Sequence, residues 1–202
     1  MRIFAIIMAV IVGALLITGC SITTWAIGVQ KHLVQRDEAV TKRRGAMMSV
    51  YQKRADLIDN LVETVKRYAK QEETIFVEVA KARAGAGKVA LPENATPEDL
   101  KRFMEAQRGM GDALSRLLVV QEAYPQLKSD RNFLALQGQL KEIEGQAHMV
   151  RKLYIDEIAA YNVNVRVWPN KLVAAFTGHT VKPTLVFENE PQIKQSPRVN
   201  FK

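Results

Sequence analysis

At 202 residues, with 48% hydrophobic and 25% charged positions, the chain is long enough for one domain with a real core and is not composed like a disordered polymer. A formal net charge of +8 would suit nucleic acid or an anionic membrane surface. The basic residues are interleaved with Asp and Glu, without an aromatic-rich basic patch, which argues against nucleic acid, and the single cysteine excludes an internal disulfide framework.

After Met1-Arg2 the sequence runs IFAIIMAVIVGALLITGCSITTWAIGV, with no charge until Lys31. Residues 3–17 form an apolar core of signal-peptide length behind a short basic start. The core ends in Ile17-Thr18-Gly19-Cys20, which resembles a bacterial lipobox. That resemblance implies cleavage before Cys20, lipidation of its thiol and an extracytoplasmic domain, and this is the first expectation. A second reading stays open. Residues 3–29 are also long enough to span a hydrocarbon layer of about 30 Å as an uncleaved helix. Lys31, Arg36, Lys42, Arg43 and Arg44 outweigh Arg2, and the positive-inside rule would then hold the bulk of the chain in the cytoplasm. Membrane attachment is common to both readings.

From residue 30 to 86 there is no proline, and glycine occurs only at Gly45 and Gly85. Strong helix formers dominate, so the stretch predicts one very long helix, straight or kinked. GAGK at 85–88 holds a fragment of a phosphate-loop pattern, without its full spacing or its Ser/Thr, and reads as the stop of that helix. In the loop that follows, Thr96 is an N-cap candidate, Pro97 suits the first helical position and Asp99 supplies the acidic side chain of the first turn. A second helix is expected over 97–123, with Leu100, Phe103, Met104, Leu114 and Leu118 on one face. YPQLKSD breaks it, and Ser129 or Asp130 can cap a third helix that runs to about Val167, where WPN ends it. Prolines at 169, 183, 191 and 197 and a β-leaning TLVFE predict a mostly extended tail. The fold expected is all-α, an antiparallel bundle of three to four long helices. Its boundaries would be a targeting segment over 1–29, a bundle over 30–168 and a tail over 169–202.

The helical stripes carry charges where apolar residues are expected. On the first helix Ile58, Leu61, Val65 and Tyr68 share a face with Arg54, Glu72 and Arg83. Glu122 lies at the margin of the second stripe. On the third, Phe133, Leu140, Ile158 and Val165 share a face with Glu144, Arg151 and Asn162. Such groups are tolerated inside only when paired and hydrogen-bonded. With three helices running up, down and up, Glu72, Arg83, Glu144 and Arg151 fall at similar heights and are expected to form one network, with Arg54 and Glu122 as a lower pair.

The same residues carry a family resemblance. YQKRADLIDNLVETVKRYAKQE at 51–72, ARA at 82–84, EAYPQL at 122–127, FLALQGQLKEIE at 133–144 and AYN at 160–162, with Arg151, Tyr154 and Pro169, resemble the LemA family in that family's own order. The resemblance spans roughly residues 30 to 187. It implies a bacterial, membrane-anchored protein with an antiparallel helical bundle behind an apolar N-terminal segment. The chain departs from the pattern at Asp59, where the family usually has proline. It departs also at Tyr154-Ile155 and Lys31-His32, where the family tends to have Tyr-Asn. The resemblance implies no agreed biochemical activity.

Enzyme chemistry finds little support. Di-iron bundles need four inward glutamates and two Glu-x-x-His pairs. The three histidines are His32, His148 and His179, and His148 follows Glu144 by four residues rather than three. No Ser/His/Asp or Cys/His set converges, and Tyr161-Asn162 and Trp168 read as packing residues. No catalytic residue, metal or cofactor is expected. The partners expected are the membrane and another membrane or envelope protein, with a homo-oligomer left open. The leading function class is a non-enzymatic, membrane-tethered scaffold or adaptor of the bacterial envelope. The alternative is an enzyme or ligand-binding protein with a site in the polar core.

Overall fold

Residues 2–68 hold no proline, and in the computed structural model, which describes residues 2–92 and 95–184, they form one helix, α1 (Arg2–Tyr68). At 1.5 Å per residue α1 is about 100 Å long. Its N-terminal part stands clear of the protein, and Leu33 is the first fully buried side chain. Past Tyr68 the chain reverses over residues 69–72, and α2 (Glu73–Lys88) folds back along α1. Two contacts bridge the arms of the reversal: Lys66 Nζ lies 5.4 Å from the Phe76 ring, and Arg83 pairs with Asp59.

The single helix expected over 30–86 is therefore a hairpin. No proline or glycine marks the turn, because burial overrides local propensity there. Val65 and Ala69 on one arm and Phe76 and Val79 on the other are all buried in one apolar cluster. A straight rod would leave the α2 half of that surface in water.

Thr96 caps α3 (Pro97–Val119) as expected. Its hydroxyl accepts from the Asp99 amide at 3.1 Å, and the Asp99 carboxylate accepts from the Thr96 amide at 2.9 Å. α3 runs antiparallel to α2, with Arg116 3.2 Å from Glu78, and climbs beside α1, where Phe103 meets Tyr51 edge-on at 5.1 Å. A 3₁₀ turn at Val120–Ala123 and the short α4 (Pro125–Lys128) cross the top. Asp130 then caps α5 (Arg131–Arg166), accepting from the Phe133 amide at 2.8 Å. α5 descends along α1 from Tyr68, whose hydroxyl donates to Asp130 at 2.7 Å, down to Arg36, 3.1 Å from Glu157. The result is an antiparallel bundle of α1, α2, α3 and α5.

The stretch expected to be extended from Pro169 begins instead with α6 (Asn170–Thr177), closed by Gly178 in the left-handed conformation at φ 77°. Pro169 precedes this helix rather than interrupting it, and a left-handed glycine is a common helix stop. Most of TLVFE and the prolines at 191 and 197 lie outside the described residues.

Two apolar clusters fill the bundle. A distal one holds Ile58, Leu61, Val65, Met110, Leu117, Phe133 and Leu140. A proximal one holds Leu33, Met47, Tyr51, Phe103, Tyr154, Ile158 and Tyr161. A polar layer lies between them.

Candidate functional site

The apolar start of α1 is the first functional feature. It contains an 18-residue window of mean hydropathy 2.4, none of it buried, which by length and composition suffices to cross a membrane. Ile3, Phe4, Leu15, Leu16, Ile17, Ile22 and Ile27 all face outward. The polar-looking TGCSITT stretch is less polar than it reads. Thr18, Ser21, Thr23 and Thr24 each donate a hydroxyl to the carbonyl four residues back, at 2.7 to 2.9 Å. Their hydrogen-bonding needs are thus met within the helix, as an apolar solvent requires. Cys20 lies on this segment with its thiol exposed.

Arg54 occupies the polar layer. The residue is buried, at 8% exposure. One guanidinium nitrogen lies 3.2 Å from Glu144 on α5, and the other donates to the Gln107 carbonyl on α3 at 3.4 Å. Gly111 makes room for it: a Cβ there would sit 3.1 Å from the guanidinium. One cation thus ties α1, α3 and α5 at a single height.

Beside the lower part of the proximal cluster a second polar set fastens the chain after α6. Asn162, 5% exposed, donates to the Lys182 carbonyl at 2.7 Å and accepts from the Lys182 amide at 2.8 Å. The Lys182 ammonium reaches Asp37 on α1 at 2.7 Å and lies 5.3 Å from the Tyr161 ring. Tyr161 Oη and His179 Nδ1 are 3.2 Å apart. The basic run after the apolar segment is partly structural. Arg36 and Arg43 both approach Glu157, at 3.1 and 4.0 Å, and Arg44 donates to the Leu91 carbonyl at 2.7 Å.

Of the seven charged and polar residues expected in the interior, Arg54 and Asn162 are buried. Glu144 joins Arg54, not Glu72. Glu72 sits at the hairpin turn, where it accepts from the Tyr124 hydroxyl at 3.0 Å. Arg83 pairs with Asp59 at a half-exposed site. Glu122 is exposed and meets Lys128 at 3.3 Å. Arg151 is half-buried and bonds the Tyr51 hydroxyl. The expected heights misplace these partners for one reason: they assume a straight first helix, whereas the reversal at 69–72 returns Arg83 to the level of Asp59.

Sequence reasoning passed over Asp59, Gln107, Gly111, Glu157 and Lys182. Asp59 carried a signal, as the position where the chain departs from the family's usual proline. The others stand among residues of ordinary composition, and only their neighbours in space single them out.

The titratable groups are tuned as a packed core would tune them. Burial raises the Tyr51 phenol, opposed by the positive charges of Arg151 and Arg54. Burial raises Tyr154, and burial together with Asp37 raises Tyr161. The Tyr68 hydroxyl and the Phe133 amide lower Asp130. Among the described residues no three His, Cys, Asp or Glu side chains come together in a set able to hold a metal. A shallow open groove lies between Thr96-Pro97, Arg166 and residues 181–184. The Asp99 carboxylate already engages the Thr96 cap at the α3 start, so that helix end offers little to an anion.

The LemA family's sequence profile matches residues 45–201. The chain belongs to the LemA family. This LemA-family chain is 26% identical over 176 residues to magnetosome proteins MamQ 1 and MamQ 2 of Paramagnetospirillum magneticum, a match covering 78% of the chain and 64% of each relative. It is 27% identical over 175 residues to magnetosome protein MamQ of Magnetospirillum gryphiswaldense, with the same coverage. The chain thus spans 64% of the length of these curated relatives. It is a membrane-associated helical protein, with an apolar helix that runs unbroken into the family's bundle.

Proposed function

We propose that the chain is a non-enzymatic, membrane-tethered scaffold or adaptor of the bacterial cell envelope. On this reading residues 1–29 are the targeting and anchoring segment, 30–168 the bundle, and 169–202 the C-terminal tail, whose described part, through residue 184, straps onto the base of the bundle. The single observation carrying the proposal is α1 itself. One helix bears an exposed apolar half and a half built into the bundle, so the bundle is held rigidly at the bilayer and displays its α2–α3 face away from it. The buried Arg54 and Asn162 are engaged with a facing carboxylate or with backbone, as structural residues are. Arg54, Glu72, Arg83, Glu122, Glu144, Arg151 and Asn162 are structural residues in this proposal, and the partner presented to the α2–α3 face is another membrane or envelope protein.

The anchor is proposed to be a lipid on Cys20, with the bundle outside the cytoplasm. The lipobox-like Ile17-Thr18-Gly19-Cys20 supports it. A second reading is favoured by one observation: α1 continues without interruption through Cys20, and its outward apolar side chains extend past it to Ile27. In that reading residues 3–29 remain as a single span and the bundle is cytoplasmic. Mass spectrometry of the mature protein separates the two. An acylated Cys20 at the N-terminus establishes the lipoprotein, and an intact N-terminus with a free thiol establishes the span. For the function, charge-neutral substitutions on the exposed α2–α3 face should abolish capture of a crosslinked envelope partner at unchanged thermal stability. Loss of a cellular phenotype on substitution of Arg151, with fold and melting intact, would instead make the polar core an active site.

A further inference from the structure

We propose that α6 is an interfacial helix that seats the base of the bundle on the lipid bilayer. The proposal rests on the membrane-tethered reading above and adds a second contact with the same surface. α5 descends along α1, and Glu157 meets Arg36 and Arg43. Arg166, nine residues further, lies about 14 Å lower. That is the height at which the apolar run of α1 gives way to Lys31. α6 packs there against both α1 and α5, and its buried Ala174 shares the proximal apolar cluster with Leu33.

The opposite face of α6 is uncovered and apolar. Phe176 is 92% exposed and Leu172, one turn earlier, 55%; Trp168, in the turn just before the helix, is 78% exposed. Single exposed apolar residues are ordinary on a soluble surface. Three large ones on and beside one short helix at one end of the molecule are not. Lys31, Arg166 and Lys171 are exposed around them. Tryptophan with flanking cations at an apolar–polar boundary is the composition of a membrane interface, where the ring lies at headgroup level and the cations meet anionic lipid. The occupant is the bilayer because the surface is continuous with α1. A membrane around residues 21–29 places its headgroup layer against α6.

The chain has two tryptophans, Trp25 and Trp168, so each can be read alone. The full-length protein is reconstituted in nanodiscs of phosphatidylethanolamine and phosphatidylglycerol brominated high on the acyl chain. Trp25→Phe leaves Trp168 as the reporter, and Trp168→Phe leaves Trp25. Trp168 emission should shift to the blue, be quenched by lipid bromine and resist aqueous iodide. Adding Leu172→Glu and Phe176→Glu should return it to the solvent-exposed wavelength at unchanged thermal melting in detergent. Lipid quenching of Trp25 together with iodide quenching of Trp168 would overturn α6 docking and leave the tether intact. A Trp168 shielded from both quenchers would assign the face to a protein contact and overturn the lipid. Absence of lipid quenching at Trp25 as well would take residues 21–29 out of the bilayer and overturn the proposal.

Discussion

Arg54 and Glu144 face each other at 3.2 Å across α1 and α5, at the height where the two apolar clusters of the bundle meet. The pair is asymmetric. The Arg54 side chain is 10% exposed and the Glu144 side chain 48%. A buried cation therefore depends on a carboxylate that itself remains in contact with water, and a charge needs a partner more the deeper it lies.

Glu144→Gln should accordingly destabilise the protein by about 1–2 kcal/mol, since it strips the charge-assisted bond from a buried guanidinium. Arg54→Met should cost less, because Glu144 can be hydrated and a methionine fills the apolar gap. Thermal melts of both single variants and the double variant check this. Equal, additive losses would mean that the pair is not coupled in the folded protein.

Gly111 and Arg54 should be coupled for a steric reason. In the Arg54→Met background, Gly111→Ala should stabilise by about 0.8–1 kcal/mol, the usual helix-propensity gain over glycine. In the wild type a Cβ at 111 would crowd the guanidinium at 3.1 Å, and the gain should shrink or vanish. The double-mutant cycle in denaturant reads the difference directly.

Asn162→Asp should release the segment after α6. The aspartate keeps an acceptor for the Lys182 amide but turns a second oxygen toward the Lys182 carbonyl, where the amide now donates at 2.7 Å. The expected cost is about 1–3 kcal/mol. Hydrogen exchange should show faster opening at residues 178–184 while α3 keeps its protection.

Alkaline pH should weaken the bundle through its buried phenols. Tyr51, Tyr154 and Tyr161 all have raised folded values, chiefly from burial. A folded chain that binds the phenolic proton more tightly than the unfolded chain has full stability below the ordinary tyrosine value near 10 and loses it as pH rises from there through the raised values. Melting temperature should fall above that point, and Tyr51→Phe should flatten the fall. Asp130 acts at the other end. Its lowered value means that its contribution is present above the ordinary carboxylate range and is lost as pH falls through that lowered value. Asp130→Asn should blunt the acid transition.

The sequence by itself determined the kind of structure. Unbroken runs of helix formers, the Thr96–Asp99 cap and the Asp130 start specify all-α architecture, because capping and propensity act within a few residues. The uncharged run to Lys31 marks the membrane segment, because transfer into hydrocarbon depends on composition and length. The polar side chains of Arg54 and Asn162 were visible as conflicts on apolar stripes, and both are buried. Their partners were not visible. Pairing depends on which residues share a height, and the height of everything after Tyr68 depends on a reversal at 69–72 that no proline or glycine announces. Only the joint burial of Val65, Ala69, Phe76 and Val79 decides that turn, and that is a property of the packed chain. The same holds for α6. Its eight residues are too few to hold a helix alone, and packing against α1 and α5 decides both that it forms and which face it leaves uncovered.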